Sequence, residues 1–459
     1  MRIKIKNLGI LGSADLELGD LTVVCGKNNT GKTYAAYAIY GFLDYWRTRF
    51  NFDLGQGYNE TLLTQNEILI RADHVLERLP ENIERAAKEF CTELPNIFAS
   101  STDRFSCTQF SGEINLDNAT EFVFPRFRPF GFASFQIETS DDLRNVVIRA
   151  ISDNIEKQDR EGLVTFCRLL MSNAIPQELI PSPWFASADR TGAAILSNEL
   201  RLLRDEVYQK REFIGRNFPI DYPLPVAHNL NAIRDASLRA KQSSSKFQVA
   251  FDGMLGGRFD VRENRLHFCP SESPEIPLTL GESSSSVRAL LPLAIPNDNA
   301  NSYALRNLVA GKSKMFMIDE PEMNLHPENQ RRLARYFARL VNEGCRVYIT
   351  THSDYIVKEL NTLIMLHRKR KHDLNVMSQH GYTQEELLDP AKVRVYMTQE
   401  EQASATPEES RRIDATISQK FTFVRANIDA EQGIYLPSFD DTINEMNDIQ
   451  DKILDCNEE

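Results

Sequence analysis

Hydrophobic and polar positions divide the chain unevenly. Residues 2–25 carry short alternating runs, "RIKIKNLGIL" and "DLTVVC", with "GSADLELG" between them holding another; all three predict strands. "LTVVC" is continuously apolar, as a buried strand would be, and "KTYAAYAIYGFLDYW" behind it reads as a helix. Residues 47–244 are less regular. "TLLTQNEILIRADHVLERL" and "ENIERAAKEFCTEL" place apolar residues at helical spacing, while the Phe- and Thr-rich stretch from "RFSCTQF" to "FQIETS" alternates like strands. "DDLRNVVIRAISDNIEKQ" and "EGLVTFCRLLMSNAI" predict helices, and "AILSNELRLLRDEVYQKREFIG" predicts one of about six turns. No heptad pattern is sustained, so no long coiled-coil arm is expected.

From about residue 245 the pattern turns β-rich again, with "FQVAFDGMLGGRFDVRENRLHFCP" reading as short strands joined by Gly and Asn turns. "SVRALLPLAI" begins a helix. Residues 313–366 then read strand, turn, helix, strand, turn, helix, which predicts a parallel α/β sheet. The tail from about 375 is polar and ends in the acidic "SFDDTINEMNDIQDKILDCNEE".

Composition narrows the class. At 459 residues and 42% hydrophobic content, the chain can build two or three domains, or one domain with a large insertion. There is no apolar stretch of roughly 18 residues, and the first residues alternate like a strand, so a cytoplasmic protein without a membrane span or signal peptide is expected. Seven scattered cysteines without a C-x-x-C pair point to neither a disulfide framework nor a zinc site. A net charge of −12 argues against coating nucleic acid through the overall field. The basic run His367–Leu374 is compatible with a solvated segment or with a phosphate-backbone contact.

Candidate chemistry is concentrated in a few places. Gly26-Lys27-Asn28-Asn29-Thr30-Gly31-Lys32-Thr33 has the G-x-x-x-x-G-K-[ST] spacing of a phosphate-binding loop, between a predicted strand and helix. Its glycines let backbone N–H groups face the phosphates, Lys32 can reach the β- and γ-phosphates, and the Thr33 hydroxyl can ligate Mg²⁺. "MFMI" ends in Asp319 and Glu320. Two adjacent carboxylates there are either a surface turn or, beside a phosphate loop, a Mg²⁺ site, with Asp319 on the metal and Glu320 polarising the attacking water. "RVYITTHS" follows by one helix, so a right-handed crossover lays His352 beside that strand, as a structural histidine or a γ-phosphate sensor. Four serines, 283–286, precede an apolar helix and read either as an N-cap in a Ser-rich turn or as a second anion site that serves another copy's nucleotide.

In this order the motifs resemble ABC-type ATPases, and within them the SMC-like and OLD-like branch, across residues 1–42 and 245–366. "GKNNTGKT" looks like their Walker A motif, "IDEPEMNLHP" like Walker B running into the D-loop, and "TTHS" like the switch-histidine motif. "ESSSSVRALLPL" looks like the signature, with Ser286 where relatives usually carry glycine. The resemblance implies an α/β P-loop ATPase head (1–46 and 245–375) with a β-rich N-terminal lobe and a mixed, largely helical insertion (47–244) for oligomerisation or partner binding. The remainder, 376–459, would bind a partner or complete the head. It implies two ATP molecules and Mg²⁺ between two heads, with Ser284, Ser285 and Ser286 of one copy touching the γ-phosphate bound by Lys32 of another. "PWFASADRTGAA" resembles a stretch shared by stand-alone bacterial ATPases of antiphage defence, Septu-type or retron-linked above all and PARIS-type second. Such an ATPase works beside a separate nuclease, HNH in the first type and TOPRIM in the last, and any contact with DNA or tRNA is expected through that complex. No nuclease motif of its own is evident. The alternative is a stand-alone SMC-like DNA repair clamp.

Overall fold

The computed structural model describes residues 1–116, 122–126, 129–152, 155–195, 222–238, 253–262, 265–294, 314–368, 371–401, 420–429, 433–434 and 448–449. The long helix expected over 194–215 lies outside them beyond Ile195, as do the "FQVAF" run and most of the acidic tail.

A nine-stranded sheet organises the chain. Its strands are β1 (Arg2–Leu8), β2 (Leu11–Glu17), β3 (Leu21–Cys25), β5 (Gln109–Glu113), β9 (Ser182–Ala186), β13 (Lys314–Asp319), β14 (Arg346–Thr351), β15 (Val393–Glu400) and β16 (Phe421–Arg425), in the order β5-β1-β2-β16-β15-β3-β14-β13-β9. The run β15-β3-β14-β13-β9 is parallel throughout. β3 is buried at every position, which is why its sequence is continuously apolar rather than alternating. The expected crossover is present: β13 and β14 are parallel neighbours, with Asp319 opposite Thr350.

Two cores flank this sheet, and alternation along β3 serves both. Val24 faces α1 (Lys32–Thr48) and the helices of residues 47–174, whereas Val23 and Cys25 face helices Pro327–Asn342 and Asp354–Leu366. α1 is buried along nearly its whole length. Its far end is latched to the helix Lys157–Ala174: Trp46 Nε1 donates to Ser172 O at 2.9 Å, Arg47 Nη1 to Asn173 O at 3.0 Å, and Asn173 Nδ2 to Arg47 O at 3.0 Å.

Among the described residues, the region 47–244 is mixed and carries more helix than strand. It supplies β5 and β9 to the central sheet and a four-stranded side sheet, β4 (Glu67–Arg71), β8 (Asn145–Ala150), β7 (Phe135–Thr139) and β6 (Phe130–Phe132). Beyond it, β10 (Gly257–Arg262) and β11 (Arg265–Pro270), where short strands were expected, form a three-stranded sheet with β12 (Leu278–Thr279). β8 falls where a helix was expected. Its apolar triplet Val146-Val147-Ile148 fits either period, and pairing with β4 and β7 decides the outcome. The polar tail also differs from its pattern: β15 and β16 lie between β2 and β3, which are neighbours in sequence but not in the sheet. Glu17 closes this arrangement through Arg394 at 2.8 Å and Arg425 at 2.9 Å.

Val393, Val395 and Tyr396 of β15 are buried. Burial of such side chains stabilises by roughly 1.5–3 kcal/mol each, a large share of a typical net stability of about 5–15 kcal/mol. A chain ending at Lys392 is therefore expected to lose cooperative thermal unfolding. A full-chain-like transition from that truncation would show the tail strands to be dispensable.

Candidate active site

The loop between β3 and α1 turns on its glycines. Gly26 has φ 147° and Gly31, the N-cap of α1, has φ 90°. A methyl group at Gly26 would lie 1.9 Å from Thr398 Oγ1, so the tail strand β15 packs directly against the loop. Asn29 has φ 60°, a conformation asparagine tolerates better than most residues. Lys27, Asn28 and Asn29 are not buried, while Thr30 is buried and donates to Lys27 O at 2.8 Å.

Lys32 is 5% exposed. Its Nζ donates to Gly26 O at 2.9 Å and Lys27 O at 2.7 Å, so the ammonium is held inside the loop. Burial pushes its pKa down, and the carboxylates of Glu320, Asp319 and Glu322 oppose that shift.

Asp319, at the end of β13, is fully buried. Thr33 Oγ1 lies 3.0 and 3.2 Å from its two carboxylate oxygens, and the Thr350 hydroxyl donates to it from β14. Burial pushes its pKa up to about 6, with those two hydroxyls opposing. It forms no ion pair among the described residues, because Lys32 is turned onto its own loop. A buried carboxylate without a cation, beside the Thr33 hydroxyl, suits Mg²⁺, which takes few protein ligands and keeps its waters. Among the described residues no group of three or more His, Cys, Asp or Glu could cage a metal.

Glu320 begins the turn after β13. Its φ of 48° is rare for a non-glycine residue, and its backbone N–H is held by Thr350 O at 3.0 Å. It lines a cleft of about 1110 Å³ together with Asn28 to Tyr34, the turn Asp103–Cys107 and Lys420. His352 Nδ1 lies 3.8 Å from Glu320 Oε1 and 3.2 Å from Glu322 Oε1. Glu322, which the motif pattern does not single out, is buried and accepts from Thr351 Oγ1 at 2.9 Å and from His352 N at 2.7 Å. Its only signal in the sequence is the second glutamate of "DEPE".

The serines sit where the helix-cap reading puts them. Ser284 Oγ accepts from Val287 N at 3.3 Å at the start of helix Ser285–Ala294, and contacts Ser286 Oγ at 2.8 Å. Ser284 and Ser285 are exposed, and none of the three lines the cleft around Lys32 of their own chain.

Arg190, the arginine of "PWFASADRTGAA", belongs to the site although its sequence context assigns it no role there. Its side chain is 1% exposed and stands behind the Asp319–Glu320 turn. Nη1 donates to Asp319 O at 2.8 Å and Ser187 O at 3.0 Å, Nη2 to Glu320 O at 2.8 Å, and Nε to Ala289 O at 2.8 Å. Burial lowers its pKa to about 10, with Asp319, Glu322 and Glu320 opposing, and the guanidinium stays charged at neutral pH.

Asp319 makes a pH prediction. Its carboxyl titrates near 3.8 when unfolded and near 6 when folded, so the folded nucleotide-free chain holds the proton more tightly and loses stability as pH rises through that interval. Asp319→Asn removes the loss while keeping one acceptor oxygen within reach of both threonine hydroxyls. Above neutral pH the variant should gain up to ~3 kcal/mol in denaturant unfolding, and Mg²⁺-dependent nucleotide binding should weaken at least ~tenfold. Unchanged stability would mean that Asp319 is not desolvated in solution.

A family model described as "AAA ATPase domain" matches residues 1–178 and 240–357. No functionally curated protein matches the sequence. Similar solved structures include an SMC head bound to the C-winged helix domain of ScpA, at 12% identity and TM-score 0.34 over 92% of this chain and 97% of that one. The SMC head domain from Thermotoga maritima is 11% identical, with TM-score 0.31 over 93% and 98%. The Smc head domain with an extended coiled coil, bound to the C-terminal domain of ScpA and derived from Pyrococcus furiosus, is 11% identical, with TM-score 0.35 over 98% of each chain. With the phosphate loop, the serine-rich helix start, the Asp319 strand and His352 all inside the matched segments, the chain belongs to the AAA ATPase domain family.

Proposed function

We propose that the chain is the ATP-binding and slowly hydrolysing subunit of an antiphage defence complex, in which nucleotide-gated assembly controls a separate nuclease. The observation that carries the ATPase part is the meeting of the Thr33 and Thr350 hydroxyls on the buried Asp319 carboxylate, beside the loop that holds Lys32. Binding requires Lys32 to leave the Gly26 and Lys27 carbonyls for the β- and γ-phosphates. Mg²⁺ would neutralise phosphate charge at Thr33 and Asp319. Glu320, at the cleft wall, orients and polarises the attacking water, and His352 beside it reads the γ-phosphate end. Ser284, Ser285 and Ser286 are available to a second copy, so two heads would close on two ATP molecules. Ser286 in place of glycine brings a side chain to that contact and favours slow turnover. The nuclease, of HNH type by preference and TOPRIM type as second choice, rests on the resemblance of the motif set to stand-alone defence ATPases.

Lys32→Ala should abolish nucleotide binding and biological function together. Glu320→Gln should keep binding, lower hydrolysis by orders of magnitude and accumulate the ATP-bound assembly; hydrolysis at the parent rate would remove Glu320 from its role. Native mass of the chain co-expressed with its genomic neighbours, with and without ATP, tests the assembly. A co-purifying nuclease in an ATP-dependent ratio is expected. A dimer of this chain alone, formed only with ATP and binding DNA unaided, would favour a self-contained clamp.

A further inference from the structure

Arg190 lies in residues 179–239, between the two segments that the family model matches. It is charged and almost wholly buried, yet forms no ion pair among the described residues. Its donors go to backbone carbonyls in three places: its own turn at Ser187, the Asp319–Glu320 turn, and Ala289 in the serine-headed helix. A buried guanidinium that spends its hydrogen bonds on main-chain acceptors cross-links backbone segments, and its planar fork fixes their relative positions.

The surroundings of Arg190 are built to hold that geometry. Asn229 is buried and locks the turn before Arg190, accepting from Ser187 N and Ser187 Oγ, each at 2.9 Å, and donating to Phe185 O. Residues 190–195 are helical, and Ala193 and Ala194 share an apolar cluster with Leu291 of the serine-headed helix, Leu280 and Ile233. The segment carrying Arg190 therefore packs on the helix that its Nε holds. On the other side, Nη2 grips the carbonyl of Glu320, whose backbone sits in the left-handed region. A strained turn persists only while its neighbours hold it. A load on the carboxylates of Asp319 or Glu320 thus reaches the fork through the two carbonyls it holds.

We propose that Arg190 is the positioning residue that couples nucleotide occupancy at Thr33, Asp319 and Glu320 to the pose of Ser284–Ser286 in the same chain. The significance of that pose rests on the proposed function, in which these serines meet a second copy's ATP. The coupling itself is a property of one chain. A ten-residue helix moves as a rigid body, so a displacement at Ala289 is carried to its serine end. ATP in one head then sets the surface that the head offers to its partner, and the two sites become cooperative.

Hydrogen–deuterium exchange on the full chain, with and without a non-hydrolysable ATP analogue and Mg²⁺, tests this. It is run in a Ser285→Arg background, whose bulky cation blocks head-to-head closure. Nucleotide should slow exchange over residues 285–294 by about fivefold or more when Arg190 is present. In Arg190→Met the protection at residues 26–33 should persist while that at 285–294 falls below about twofold. Arg190→Lys keeps a buried cation in a compact fold but lacks the fork, and should uncouple in the same way, so the test survives a folding defect of the Met variant. Equal protection of 285–294 in Arg190→Lys and the parent would overturn the proposal. Because exchange is read within one chain, the outcome for Arg190 holds whether or not ATP brings two copies together.

Discussion

A fully buried carboxylate that forms no ion pair among the described residues is the constraint around which this protein is arranged. Asp319 sits at the end of a central parallel strand, where burial alone disfavours its charge. Two threonine hydroxyls soften that penalty without cancelling it. One, Thr33, comes from the first turn of α1, and the other, Thr350, from the neighbouring strand β14. The loop, the helix behind it and both strands must therefore be in register before the carboxylate can be accommodated. The same arrangement leaves a position suited to a hard divalent cation.

Charge is distributed around this point in a way that keeps the site open. Lys32, the cation of the loop itself, is parked on the loop's own carbonyls. Arg190 stands behind the backbone and spends its donors on carbonyls. Neither quenches the carboxylates, yet both contribute favourable potential. Glu322 does comparable work for His352, holding its ring and its backbone N–H beside Glu320. Lys32 and Arg190 are thus close to the carboxylates without forming ion pairs with them among the described residues.

The sheet that carries these groups is assembled from distant parts of the chain. β9 joins its edge from the middle of the sequence, and β15 slides in beside β3 from the tail, bringing Thr398 against Gly26. The phosphate loop is therefore shaped by residues several hundred positions away, and the glycine there is required by a packing contact as well as by its dihedral angle. Among the described residues no helix is long and apolar enough to cross a membrane, in keeping with the hydropathy pattern of the sequence.

The phosphate loop, the Asp-Glu strand and the strand ending at His352 were legible because each is local. A glycine spacing, an apolar run ended by carboxylates, and one helix between two apolar runs are properties of consecutive residues, and short crossovers have a fixed hand. The helical reading of Asn145–Ala150 failed because Val-Val-Ile suits either period, and only its partners β4 and β7 chose between them. The tail strands were hidden because Val393–Glu400 mixes polar residues that become buried or paired only once β3 and β16 flank them. Arg190 and Glu322 lie inside the stretches "PWFASADRTGAA" and "IDEPEMNLHP", but nothing in those stretches assigns either a role. Their roles depend on which carbonyls, hydroxyls and rings are brought within about 3 Å of them. By itself the sequence determined where the glycine-bounded loop falls and which apolar runs pair in parallel beside it. Tertiary structure alone decided which buried charges face which backbone, because that depends on contacts between residues far apart in the chain.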